Sequence, residues 1–137
     1  PSVIVSMVPS CLFTPISIVP SCLYTEPEIA SVGLTETQAR EKGVQIRVGR
    51  YDMKGNGQQI ISRETGGFIK VIFAANSDVL LGAQIVCARA TDMIGELATA
   101  LANGLTSTQL MYAMRAHPTF NEAISCAVEN SRDNIKE

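Results

Sequence analysis

Two apolar, β-prone runs, Phe68–Phe73 and Val79–Val86, are separated by only Ala74-Ala75-Asn76-Ser77-Asp78, and this pair constrains the fold more than any other feature. Runs of this composition read as strands. A linker so short suits a hairpin loop, which makes the two strands antiparallel neighbours. Beyond them the period changes. Ile94, Leu97, Ala98, Leu101, Ala102 and Leu105 recur at i, i+3, i+4 and i+7, the spacing of one apolar helix stripe. Gly104 suits the position just past that helix's end. Strands first and helices second predict an α+β fold, an antiparallel sheet with helices packed on one face. At 137 residues and 46% hydrophobic content, the chain is one domain with enough material for a single core.

The flanking segments extend this pattern. Thr35-Glu36-Thr37-Gln38 and Thr106-Ser107-Thr108-Gln109 both have capping-box spacing. The first opens a short helix that Gly43 closes. The second opens a helix with Leu110, Met111 and Met114 on its inner side. Val44 to Met53 alternates as a half-buried strand, with Val44, Ile46 and Val48 on one face and Gln45, Arg47 and Gly49 on the other. Gly55-Asn56-Gly57 is a turn signal. Cys22 to Val32 reads as an extended lead-in with a turn at Glu26-Pro27-Glu28, where Glu26 and Glu28 are plain loop carboxylates. A last helix carries Phe120, Ala123, Ile124, Ala127 and Val128. The expected order is β-α-β-β-β-α-α-α.

The N-terminal stretch contains a near-repeat. Val8-Pro9-Ser10-Cys11-Leu12-Phe13-Thr14 returns as Val19-Pro20-Ser21-Cys22-Leu23-Tyr24-Thr25. Two copies of one strand-like segment compete for one place in a sheet. The second is expected to win, because the residues after it continue the fold. Residues 1–18 are then a loose arm, an added edge strand or an addition foreign to the fold, and the domain runs from 19 to 137. A net charge of −2 argues against a nucleic-acid surface. Pro9, Pro15 and Pro20 interrupt the uncharged N-terminus too often for a membrane helix, no basic segment suggests a leader, and a cytoplasmic protein is expected. No two of Cys11, Cys22, Cys87 and Cys126 form a C-x-x-C pair, and one histidine is too few for a Cys/His zinc site, so no metal is expected. The cysteines read as reduced and structural, Cys126 among them as a buried thiol. Met93, Met111 and Met114 read as core filling.

Chemistry concentrates in Ala116-His117-Pro118-Thr119-Phe120-Asn121-Glu122, which holds the only histidine. A carboxylate on one ring nitrogen fixes the tautomer and frees the other nitrogen for proton transfer. A cis His117-Pro118 bond would make a tight corner that aims the ring away from the helix. A structural reading competes. Thr119 and Glu122 also have capping-box spacing, so Glu122 could spend its carboxylate on backbone N–H groups and leave His117 as a packing residue. There is no G-x-G-x-x-G after a strand and no P-loop. The chain therefore carries half a site at most.

Four segments, in order and at matching spacing, resemble one family. They are Val19 to Glu36, Gly66-Gly67-Phe68-Ile69-Lys70-Val71, Leu80 to Val86, and Ala116-His117-Pro118-Thr119 with Glu122. Over about residues 19–130 the chain resembles the C-terminal dimerisation domain of the pyridine nucleotide-disulfide oxidoreductases. Its pattern is most similar to the dihydrolipoamide dehydrogenase branch, with the glutathione, trypanothione and mercuric reductase branches open. The resemblance implies a homodimer in which electrons pass between a nicotinamide, FAD, a redox disulfide and a dithiol or disulfide substrate. It implies that His117 takes a proton from a substrate thiol at the partner subunit's disulfide. Glu122 would orient His117 and stabilise its protonated form, and the backbone of His117 and Pro118 would approach the partner's flavin. A 2-oxo acid dehydrogenase complex is an implied further partner. The C-x-x-x-x-C redox pair and the FAD- and NAD-binding domains are not in this chain. FAD and NAD(P) are thus expected in the full-length enzyme, none on this chain alone, and the isolated chain is expected to be inactive. The contrasting expectation is a stand-alone dimerisation or binding module without chemistry.

Overall fold

The computed structural model describes residues 16–133; the first copy of the near-repeat lies outside them. The elements are β1 (Ser21–Leu23), β2 (Ile29–Gly33), α1 (Glu36–Glu41), β3 (Ile46–Asp52), a 3-10 turn (Met53–Gly55), α2 (Gly57–Ile61), β4 (Phe68–Ala74), β5 (Leu80–Val86), α3 (Ala90–Ala102), α4 (Ser107–Tyr112) and α5 (Glu122–Asp133). The strands form one antiparallel sheet in the order β1-β2-β5-β4-β3. The expected hairpin is its centre. The register slips between Ile72 and Phe73, which face Gly82 and Leu80, so Leu81 is the extra residue. That bulge sends Leu80 into the main core and Leu81 into a second cluster.

Helices α3 and α5 cover the sheet face built from Ala30, Val32, Ile69, Val71, Phe73, Ala83 and Ile85. Their own contribution includes Ile94, Leu97, Leu101, Ile124 and Val128, all buried, as the stripe spacing required. Gly104 takes a left-handed conformation (φ 61°) just past α3, as expected for the closing residue. On the opposite face Val44, Ile72, Ala74 and Leu81 form the smaller cluster, joined by Ile46 and Val48. Short α1 lies on that side, where Glu36 pairs with Lys70 at 3.1 Å.

Several expectations need correction. The alternation in β3 holds, but the Gly49 face, not the Val48 face, meets the main helix layer. A Cβ on Gly49 would stand 2.7 Å from Ser131 Cβ of α5, so the missing side chain permits the close approach. The lead-in is two strands, β1 and β2, joined across a cis Glu26-Pro27 bond. The second copy of the near-repeat supplies β1, with Cys22 opposite Ala30. The Gly55-Asn56-Gly57 turn runs straight into α2, whose five residues are too few to show an apolar period. Helix α4 stops at Tyr112, which leaves Met114 98% exposed instead of in the core, while Met93 is buried and Met111 packs against the core.

Glu28 is not a plain loop carboxylate. Arg89 precedes α3 in a left-handed conformation and provides no side-chain cap. The Glu28 carboxylate replaces it, accepting from Thr91 N–H at 2.9 Å and Thr91 Oγ1 at 2.7 Å. Those bonds hold its pKa below the ordinary value. Cys22, Cys87 and Cys126 are free thiols. Cys87 is buried, and burial pushes its thiol up to about 12. Cys126 is half-buried, a correction to the buried reading. No described helix is long and apolar enough to cross a membrane, and no described group of three His, Cys, Asp or Glu could hold a metal ion.

Candidate functional site

The loop between α4 and α5 presents the histidine. Its His117-Pro118 bond is cis, and the His117 side chain is 76% exposed. His117 Nδ1 lies 2.7 Å from Glu122 Oε2. A carboxylate can only accept, so Nδ1 carries the proton and donates it. In the neutral ring the free lone pair is then on Nε2, and the ring is exposed. Glu122 opens α5, where the unpaired backbone N–H groups of a helix start favour negative charge.

Sequence spacing offered Glu122 two partners, and the structure divides the capping box between them. The Thr119 hydroxyl accepts from the Glu122 N–H at 3.2 Å, the capping half. Its own O–H donates to the Ala116 carbonyl at 2.7 Å and closes the loop. The Glu122 carboxylate turns to His117 and completes no box. The acid and the ring predicted as a pair are therefore brought together.

Residues that the sequence did not single out support this loop. Asn56 is buried; its Nδ2 donates to the Thr119 carbonyl at 3.0 Å, and its Oδ1 accepts from Gln59 N–H at 3.0 Å, opening α2. A Cβ on Gly57 would lie 3.9 Å from both His117 Cε1 and Pro118 Cβ, so the first turn of α2 stands against the His–Pro pair. The signal was present in the Asn56-Gly57 dipeptide but read only as a turn. Behind the loop, Arg115 pairs with Glu96 of α3. A contact across nineteen residues leaves no trace in local spacing.

Two further titrating groups surround Glu122. Burial raises the Tyr51 hydroxyl, followed by the charges of Cys126, Glu122 and Asp52. Burial also raises the Cys126 thiol, with Glu129 and Glu122 adding to it. Both groups stay neutral near pH 7.

A family model described as the pyridine nucleotide-disulphide oxidoreductase dimerisation domain matches residues 19–128. Dihydrolipoyl dehydrogenase of Bacillus subtilis is 41% identical over 104 residues, covering 76% of this chain and 22% of the relative. That of Rhizobium etli is 43% identical over 102 residues, covering 74% and 21%. The chain thus spans about a fifth of the length of the curated relatives it matches. Among solved structures, the HOCl-induced flavoprotein disulfide reductase of Escherichia coli has TM-score 0.79 at 26% identity, covering 84% of this chain and 26% of that one. LpdA of Mycobacterium tuberculosis shares the fold, with TM-score 0.78 at 24% identity over 88% of this chain and 26% of its own.

Proposed function

The chain belongs to the pyridine nucleotide-disulphide oxidoreductase family as its dimerisation domain, and from this premise we propose that it is the interface part of a dihydrolipoyl dehydrogenase-like homodimer whose His117–Glu122 pair serves thiol chemistry in the partner subunit. The observation that carries the reading is an exposed imidazole held at Nδ1 by a carboxylate 2.7 Å away. His117 Nε2 takes the proton from a substrate thiol, and the thiolate left behind is the nucleophile for disulfide exchange. In the opposite direction the same nitrogen returns the proton. Glu122 fixes the tautomer of the neutral ring and holds the ring's orientation while Nε2 is protonated.

What this chain offers toward a flavin is an exposed edge at His117 and Pro118, and its sequence carries no G-x-G-x-x-G or P-loop motif. That fits FAD and NAD(P) being held by other domains of the full-length protein, with the backbone of His117 and Pro118 meeting the partner's flavin. The chemistry those groups supply when bound is two-electron transfer away from the dithiol. The 137-residue chain alone then has no reductase activity. Exposed apolar side chains beside the site support a two-fold interface: Tyr112 is 82% exposed, Met114 98%, and Ile60 and Ile61 of α2 are also exposed. The free thiols support a reducing compartment, with the cytoplasm as the proposed location. The likeness to dihydrolipoyl dehydrogenases supports a 2-oxo acid dehydrogenase complex as a further partner.

The test is NAD-linked oxidation of dihydrolipoamide by the full-length flavoprotein. Loss of an acid–base group of this kind costs roughly 100-fold or more in turnover, which is the fall expected for His117→Gln. Turnover near that of the unaltered enzyme rejects the role.

A further inference from the structure

Arg115 lies two residues before His117, and its side chain is only 6% exposed. A guanidinium this buried must be fully paired, and its partners come from three elements. Nε donates to Glu96 Oε1 of α3 at 3.0 Å, and Nη2 donates to the same oxygen. Nη1 reaches the Leu110 carbonyl of α4 at 3.2 Å, the Ala113 carbonyl at 3.1 Å and Ser125 Oγ of α5 at 2.7 Å. The other Glu96 oxygen accepts from Asn121 Nδ2 at 3.2 Å. One ion pair therefore holds the chain two residues before His117 and one residue before Glu122.

We infer that Arg115 and Glu96 are positioning residues that set the His117–Glu122 contact. The inference rests on the reading of that pair as the working site. Packing cannot hold an imidazole that is three-quarters exposed, so the ring takes its place from the backbone beneath it. That backbone is tied to α3, α4 and α5 through the guanidinium. Lysine cannot substitute, because its single ammonium lacks the planar set of donors that reaches several acceptors at once.

His117 is the chain's only histidine, so in nitrogen-15-labelled protein its ring gives one set of nitrogen signals. The full 137-residue chain is compared with Arg115→Lys, Asn121→Ala and Glu122→Ala, with circular dichroism reporting folding. The unaltered chain is expected to show the Nδ1–H tautomer in excess. In folded Arg115→Lys the tautomer ratio should move toward the Nε2–H form by roughly tenfold, the scale of a lost charge-assisted hydrogen bond. If Arg115→Lys does not fold, the milder Asn121→Ala decides, with a shift in the same direction. An unchanged ratio in the deciding variant, with Glu122→Ala still shifting it, overturns the positioning role alone. A chain with no Nδ1–H excess that Glu122→Ala leaves unaltered overturns the underlying pair instead.

Discussion

Glu122 stands three residues after Thr119 and five after His117, so two roles compete for one carboxylate. The hydroxyl of Thr119 settles the contest by capping the Glu122 N–H itself, which frees the acid for the ring. In the full-length flavoprotein, Glu122→Ala is expected to lower dihydrolipoamide turnover by roughly 10- to 100-fold while bound flavin, read by its visible absorbance, stays unchanged. Gly49 tests the scaffold under this residue. A methyl group there collides with α5 backbone and with Ser131 Cβ. Gly49→Ala should therefore cost about 2–3 kcal/mol in denaturant unfolding, the scale of overpacking a tight contact. Both members of the pair were legible in the sequence because histidine and acid are close along the chain. Arg115, Glu96 and Asn56 were not, because their meaning lies in contacts that only the folded topology makes.

Elements with a long period were legible, and short helices were legible only where a capping box marked their start, as at Thr35 and Thr106. The β4–β5 hairpin and the α3 stripe repeat their pattern often enough to be read. Helix α4 opens at its Thr106 capping box as read, but it ends after six residues, and α2 has only five, so composition alone could not say where α4 stops or that α2 exists. The faces of β3 were ambiguous for another reason. Both are covered, and the more apolar one turned out to meet the smaller cluster. Glu28 shows how a missing cap is supplied from elsewhere, since the residue before α3 cannot provide it. Glu28→Gln should destabilise the domain by about 1 kcal/mol, as loss of a helix cap does. Its folded pKa lies below the ordinary 4.5, so this contribution is present above that value and is lost as pH falls through the folded pKa. The difference in Tm between wild type and Glu28→Gln should therefore be full near pH 6 and close in stronger acid.

At the scale of the molecule, the proposed site is incomplete although the core beneath it is complete. The sheet and its helix layer bury a full set of apolar side chains, yet Tyr112 and Met114 remain in solvent next to the His117 loop. In the full-length homodimer these side chains are expected to be covered. Met114→Lys should then shift sedimentation equilibrium toward monomer by roughly tenfold in Kd, the scale of one buried interface contact. The central claim is that His117 works across the subunit boundary. Co-expression of full-length His117→Gln subunits with subunits lacking the redox disulfide tests it most directly. Random pairing makes about half the dimers mixed, each with one intact site in a two-fold assembly, so about a quarter of wild-type turnover should appear. Mixed dimers with no turnover beyond the two parent variants would contradict the account, because they would place each histidine in the service of its own chain.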